Sequence, residues 1–114
     1  MKKQSVPAAW QRQYQRLCSS LINTGYISQG SVLDRSALRP PRSGYQWTRK
    51  LARKTVTVAL SPEQFSSLRQ AIENRRRLQK TIGKMEKLSR QILFATLPDT
   101  NRRKSLRKKV LGLI

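Results

Sequence analysis

Residues 45–64, YQWTRKLARKTVTVALSPEQ, decide the fold of this chain. Apolar and polar residues alternate in 45–51, and the alternation returns in 55–60 with Val56, Val58 and Leu60 on one face. A period of two is typical of a half-buried strand, so the two runs together predict a β-hairpin. Its turn, 52–54, lacks the Gly or Asn that a two-residue connection prefers, which predicts a longer loop built on a type I turn.

The last four residues of the same stretch predict the start of a helix. Ser61 is a capping residue, Pro62 takes the first helical position, and Gln64 follows the cap by three residues, which is the pattern of a capping box. Apolar residues then recur mostly at separations of three and four as far as Ile92, and Pro98 ends the pattern. We predict a long helix over 61–97 with one apolar stripe.

Ahead of the hairpin the chain predicts a first helix over 7–23, with Ser5 as its candidate cap. Its stripe has separations of four, three and four residues and consists of Trp10, Tyr14, Leu17 and Leu21. A stripe of this kind usually packs inward, which favours core anchors over base-stacking aromatic residues.

Between helix and hairpin, 27–33 is a candidate third short strand. Adjacent prolines at 40 and 41 exclude a regular helix or an interior strand, so 39–44 is expected to be an exposed basic loop. Its arginines, Arg39 and Arg42, either lie along a phosphate backbone or belong to a solvated linker.

The predicted class is therefore α+β: one domain over 1–97, made of the 7–23 helix, the 26–60 loop and hairpin, and the 61–97 helix, followed by a basic tail over 98–114. A helix this long overhangs so small a sheet. The overhang can pair with the first helix, with a second copy of the chain as a homodimer, or with a larger protein.

The like charges of the tail are dense, which predicts that the tail is disordered in isolation. It can become ordered by binding phosphates. Alternatively, it can form an amphipathic helix whose Leu106, Val110 and Leu113 contact an apolar groove or a membrane surface.

Charge dominates the composition. Lys and Arg number 25 and Asp and Glu 5, with no His, for a net charge of +20, and each of 1–23, 24–60, 61–97 and 98–114 carries between +4 and +6. Self-repulsion of this size favours a partner with dense negative charge. Nucleic acid is the commonest such partner, and binding it releases counterions. Because every segment of the chain is basic, we predict that nucleic acid contacts the protein on several sides.

The sequence lacks the residues that other classes of function require. Without His, and with five scattered acids, the chain offers no general base near pH 7, so we expect no enzyme. A lone thiol, Cys18, supports neither an intrachain disulfide nor a metal site, and we expect no cofactor. No apolar signal core follows the N-terminal charges and no run could span a membrane. We expect a cytoplasmic protein associated with the nucleoid or a ribonucleoprotein.

The residues predicted to bind nucleic acid are basic and lie in the loop, the hairpin, the long helix and the tail. They are Arg39, Arg42, Arg49, Lys50, Arg53, Lys54, Arg75, Arg76, Arg77, Lys80, Arg102, Arg103, Lys104, Arg107, Lys108 and Lys109. The outer face of the long helix also carries Arg69, Lys84, Lys87 and Arg90.

Five blocks carry a family resemblance: GSVLDR (30–35), GYQWTRK (44–50), KTVT (54–57), LSPEQ (60–64) and IENRRRL (72–78). Over roughly residues 25–92 the chain resembles a small prokaryotic family of uncharacterised basic proteins. Members of that family often carry a Cys-Gly-Lys-Pro-Gly-Cys segment before the hairpin, and many occur with transposable elements. At that position this chain reads SALRPPR (36–42), without cysteine. The resemblance implies a mobile-element setting but supplies no mechanism.

Three functions fit these observations. The first is a DNA-binding accessory protein, for instance in transposition, whose hairpin or long helix enters a groove while loop and tail contact phosphates. The second is a structural RNA-binding subunit embedded in folded RNA. The third is an adaptor whose long helix docks on a larger protein. The first two share their electrostatics and differ in the shape that they recognise.

Overall fold

A computed structural model describes residues 5–101 and 103–114. Its elements, in chain order, are α1 (Ala8–Ser20), a 3-10 turn (Leu21–Asn23), β1 (Ser31–Asp34), a second 3-10 turn (Arg35–Ala37), β2 (Tyr45–Leu51), β3 (Lys54–Leu60), α2 (Pro62–Thr96) and α3 (Lys108–Leu111). The predicted α+β class is confirmed. A third short strand is present, but it covers Ser31–Asp34 and not 27–33 as predicted. The chain divides into two compact units, 24–78 and the combination of 1–23 with 79–114, and α2 contributes to both.

The sheet is an antiparallel meander in the order β1-β2-β3. β2 pairs with β3 along its whole length, from Tyr45 opposite Leu60 to Leu51 opposite Lys54. β1 is shorter, and its pairing with β2 stops where Ser31 faces Thr48. Residues 49–51 and 54–56 therefore form a two-stranded ribbon beyond the end of β1.

The turn of the hairpin differs from the sequence prediction. Only Ala52 and Arg53 separate the paired residues Leu51 and Lys54, and both have positive φ, 49° and 67°. Positive φ at both central residues is the pattern of a type I′ turn, whose twist matches that of the two strands. The prediction of a longer type I loop was wrong because the register of the strands, rather than local preference, leaves room for two residues.

The start of α2 follows the predicted capping box. The Gln64 backbone N–H donates to Ser61 Oγ at 3.1 Å, and the Ser61 backbone N–H donates to Gln64 Oε1 at 3.0 Å. These reciprocal bonds satisfy two donors that a helix start otherwise leaves without partners. The helix ends at Thr96, shortly before Pro98.

At the start of α1 the capping prediction was wrong. Pro7, not Ser5, is the N-cap residue, and no side chain caps the helix. The Pro7 carbonyl oxygen accepts from the backbone N–H of Trp10 at 3.0 Å. The fixed φ of Pro7, −58°, suits this position.

In the 24–78 unit, α2 holds both the sheet and the segment that precedes it. The rings of Tyr45 and Phe65 stack with their centroids 4.4 Å apart, and Ala71 and Ile72 are buried. The Ser28 backbone N–H donates to the Ala71 carbonyl oxygen at 3.2 Å. This bond ties the segment before β1 to the helix that follows β3.

In the other unit, the tail is ordered around a one-turn helix where the sequence predicted disorder. Gly112 ends α3 in the left-handed conformation, with φ of 74°. The Leu113 backbone N–H donates to the Lys108 carbonyl oxygen at 2.9 Å, as in a Schellman cap. Arg90 on α2 donates through Nε to the Gly112 carbonyl oxygen at 2.9 Å. These bonds offset part of the repulsion among the basic residues that the prediction rested on.

Candidate nucleic-acid interface

The β1–β2 connection presents Arg39 and Arg42, both exposed. Two backbone bonds close this loop: Arg35 N–H donates to the Gly44 carbonyl oxygen at 2.9 Å, and Arg42 N–H donates to the Arg35 carbonyl oxygen at 3.1 Å. The loop is thus a folded basic surface at the start of β2, not an extended linker.

At the start of that loop, the Asp34 carboxylate accepts from the Ser36 backbone N–H at 3.0 Å. This bond caps the 3-10 turn that opens the loop. Hydrogen bonds from the Ser36 backbone and side chain hold the pKa of Asp34 below its usual value, because they favour the charged form. The carboxylate is therefore engaged in shaping the loop.

The hairpin tip, which we define as residues 50–55, is exposed at every position. It carries the predicted residues Lys50, Arg53 and Lys54. Because side chains alternate along a strand, Lys50 and its neighbour Leu51 lie on opposite faces of the ribbon. Lys54, directly opposite Leu51, shares the Leu51 face. Positive charge is therefore available on both faces of the tip.

Arg49 belongs to the same hairpin but has a different environment. It is half-buried, with its guanidinium carbon 5.2 Å from the centroid of the Trp47 ring. Its Nε is buried without a hydrogen-bond partner among the described residues. Trp47 is itself fixed, since its Nε1 donates to the Gln29 carbonyl oxygen at 3.0 Å. The pair is a packing contact within the sheet as well as a source of charge.

The loop and the hairpin tip lie at opposite ends of β2. The strand has seven residues, and at roughly 3.3 Å per residue the two basic surfaces are about 20 Å apart. The structure does not bring these predicted residues into one patch. They form two separate basic surfaces on the same unit.

On α2 the predicted arginines are partly occupied by contacts within the helix. Arg76 Nη1 lies 2.6 Å from Glu73 Oε1, with both side chains more than half exposed, and Arg77 donates to Asn74 Oδ1. Arg75 is half-buried. Exposed ion pairs of this kind add little stability, so a phosphate can displace Glu73 from Arg76 at small cost.

Farther along α2, Lys80 is exposed, and so are Lys84 and Lys87. The last two were predicted to lie on the outer face of this helix but were not included among the residues predicted to bind nucleic acid. Spacings of four and three residues place all three lysines on one face of the helix. The same spacing can be read from the sequence, and it indicates that Lys84 and Lys87 share a helix face with Lys80.

In the tail, Lys104, Arg107, Lys108 and Lys109 are exposed, whereas Arg103 is half-buried. Arg103 pairs with Asp99, and its guanidinium carbon lies 5.3 Å from the centroid of the Phe94 ring. Arg102 lies outside the described residues.

Beside the tail is a groove of about 700 Å³, whose lining includes Trp10, Phe94, Lys104, Lys108 and Leu113. Apolar walls and lysines share this groove. Within the described ranges, 5–101 and 103–114, no three side chains of His, Cys, Asp or Glu come together as a metal site would need. None of the helices described there is both long enough and apolar enough to cross a membrane.

Comparisons with known proteins return no match: no family model, no curated protein and no solved structure is similar to this chain.

Proposed function

We propose that the protein is a non-enzymatic nucleic-acid-binding protein that contacts phosphate backbones from several sides. The observation that carries the proposal is the exposure of basic side chains on the loop, the hairpin tip, α2 and the tail. With 5 carboxylates for 25 cations, most of these charges have no acidic side chain to pair with. A polyanion removes the resulting repulsion, and its released counterions favour binding.

Within this class we favour a DNA-binding accessory component of a mobile-element or other nucleoprotein complex. The mobile-element setting rests on the resemblance of the hairpin and the LSPEQ block to a family whose members occur with transposable elements. The DNA preference rests in addition on the free hairpin tip, since a two-stranded ribbon fits the major groove of DNA.

The second candidate is a structural RNA-binding subunit. It is supported by the spread of the charge, because exposed basic side chains lie on the loop, the hairpin tip, α2 and the tail. Folded RNA offers phosphates on several sides of an embedded protein.

The third candidate is an adaptor that docks on a larger protein. It is supported by apolar side chains near the end of α2 and in the tail: Leu93, Leu97 and Val110 are 50%, 55% and 61% exposed. Together with Phe94 they line a groove of about 550 Å³.

The test is a titration of the purified full chain against duplex DNA, single-stranded DNA and structured RNA between about 50 and 200 mM salt. Phosphate binding predicts that log K falls linearly with log salt for each ligand that binds. Affinity that does not change with salt contradicts the proposal. Equal affinity for all three nucleic acids would show that the protein does not recognise nucleic-acid shape, and it would favour the adaptor function.

A further inference from the structure

The hairpin tip stands clear of the rest of the sheet. Pairing between β1 and β2 ends at Ser31 and Thr48, so 49–51 and 54–56 continue as two strands. At roughly 3.3 Å per residue, three residues on each strand carry the turn about 10 Å beyond β1. All six residues of the tip are exposed.

These dimensions match one kind of nucleic-acid groove. The major groove of B-form DNA is about 12 Å wide and about 8.5 Å deep, and it admits a two-stranded ribbon. The major groove of A-form RNA is deep and too narrow for side chains to read. A ribbon that projects about 10 Å can therefore reach the floor of the DNA groove but not that of the RNA groove.

The side chains of the tip are suited to contact a base edge at the apex of the turn and phosphates on either side of the ribbon. Leu51 is 51% exposed, which leaves an apolar side chain beside the turn among charged neighbours. Arg53 is one of the two residues of the turn, where it holds φ of 67°, and it is exposed, so a cationic side chain leaves the ribbon at its apex. Lys50 and Lys54 lie on opposite faces of the ribbon, one toward each wall of a groove.

We infer that the hairpin tip enters the major groove of B-form duplex DNA. There Arg53 donates to the O6 and N7 acceptors of guanine, Leu51 contacts an apolar base edge such as a thymine methyl group, and Lys50 and Lys54 bind the flanking phosphates. The inference rests on the proposed function and names duplex DNA as its ligand.

The test compares two variants with the same change of charge. Arg53→Gln removes the cation at the tip, and Arg42→Gln removes an exposed cation at the other end of β2. Affinity of the full chain is measured for a DNA duplex and for an RNA duplex of the same sequence. Methylation of guanine N7 by dimethyl sulfate reports on the major groove. Circular dichroism verifies that each variant is folded.

We expect the wild type to protect guanine N7 and to bind the DNA duplex more tightly than the RNA duplex. Arg53→Gln should abolish the protection and lower DNA affinity about tenfold, the effect of one bidentate base contact. Arg42→Gln should keep the protection and lower both affinities by the same small factor. A second variant, Leu51→Ser, retains every charge and should weaken DNA binding severalfold with RNA binding unchanged.

Two results would overturn the inference and leave the proposed function standing. The first is equal affinity for the DNA and RNA duplexes with a normal salt dependence. The second is an equal loss of DNA affinity for Arg53→Gln and Arg42→Gln, together with no N7 protection by the wild type. Affinity that does not change with salt concentration for any of the ligands contradicts the proposed function itself.

Discussion

Asn74, in the middle of α2, donates from Nδ2 to the carbonyl oxygen of Tyr26 at 2.9 Å, although the two residues lie 48 positions apart. The Asn74 residue is 8% exposed. Its Oδ1 accepts from Gln70 Nε2 at 3.0 Å and also from Arg77. One buried amide thus fixes the segment before β1 and orders two polar neighbours on the helix.

Replacing Asn74 by Ala should lower the free energy of unfolding by about 2 kcal/mol. The change removes a buried amide that bonds the Tyr26 carbonyl oxygen across 48 residues, and loss of a buried polar group has this magnitude. Urea denaturation measures it. Gln79→Ala, an exposed site on the same helix, is the control and should change stability by less than about 0.5 kcal/mol. Equal effects at the two sites would show that the Tyr26 bond contributes nothing.

Ala52→Asn should stabilise the hairpin. Ala52 holds φ of 49°, and Asn tolerates the left-handed region better than Ala. We expect a gain of about 0.5 kcal/mol in the free energy of unfolding, and urea denaturation measures it. Ala59→Asn is the control: this exposed residue of β3 gains nothing from Asn, which strands disfavour. A loss of stability on Ala52→Asn would contradict the type I′ turn.

Gly112→Ala should release the tail from α2. A Cβ at this position would lie 2.3 Å from Arg90 Nε, and the φ of +74° adds backbone strain. Hydrogen exchange at the backbone amides of Gly112 and Leu113 should therefore accelerate, and hydrogen exchange read by mass spectrometry measures it. Unchanged protection there would mean that the Arg90 contact does not hold α3.

The matched control is Gly83→Ala, for which the added Cβ meets nothing within 4 Å. Gly83 lies inside α2, where Ala is favoured by about 1 kcal/mol. We expect this variant to raise the free energy of unfolding and to leave exchange in the tail unchanged. The same chemical change thus has opposite consequences at the two glycines.

Acid should weaken the loop through Asp34. Its folded pKa is lowered by hydrogen bonds from Ser36, so the stability that it contributes is present above the unfolded pKa, about 4. That contribution is lost as the pH falls through the lower folded pKa. Asp34→Asn should reduce the loss of stability on acidification, and an NMR titration should place the Asp34 carboxyl below its usual value. Titration at or above that value would contradict the Ser36 bonds.

Replacing Lys104, Arg107, Lys108 and Lys109 by Gln should reduce the slope of log K against log salt. Each phosphate of duplex DNA that the protein no longer neutralises lowers the slope by about 0.9, so four such phosphates lower it by up to about 3.6. Titrations at several salt concentrations measure the change, and the Arg90–Gly112 bond keeps the tail in place. An unchanged slope would assign the tail another role.

Local signals made much of the fold predictable. The bonds between Ser61 and Gln64 involve neighbours in sequence, and the period of two in 45–60 reports the pleat of a strand directly. The long α2 follows from apolar spacing and from Pro98. Each of these depends on residues a few positions apart, whose preferences agree with the final structure.

Features set by distant residues were not predictable. Nothing near Asn74 indicates that its partner is the Tyr26 carbonyl, and Ala52-Arg53 adopts a turn that its composition disfavours because strand register imposes it. The burial of Arg49 Nε beside Trp47 likewise depends on packing. Gly112 could have been recognised as a C-cap, since it follows a basic helical turn.

β3 is an edge of the sheet, seven residues long and rich in β-branched side chains. Such an edge can template another strand, and natural sheets discourage this with charge. In β3 the charged residue is Lys54, and the net charge of +20 adds repulsion between two copies of the chain. A polyanion that neutralised this charge would remove the barrier, so nucleic-acid binding of the kind proposed would also allow copies of the protein to pair through their β3 edges.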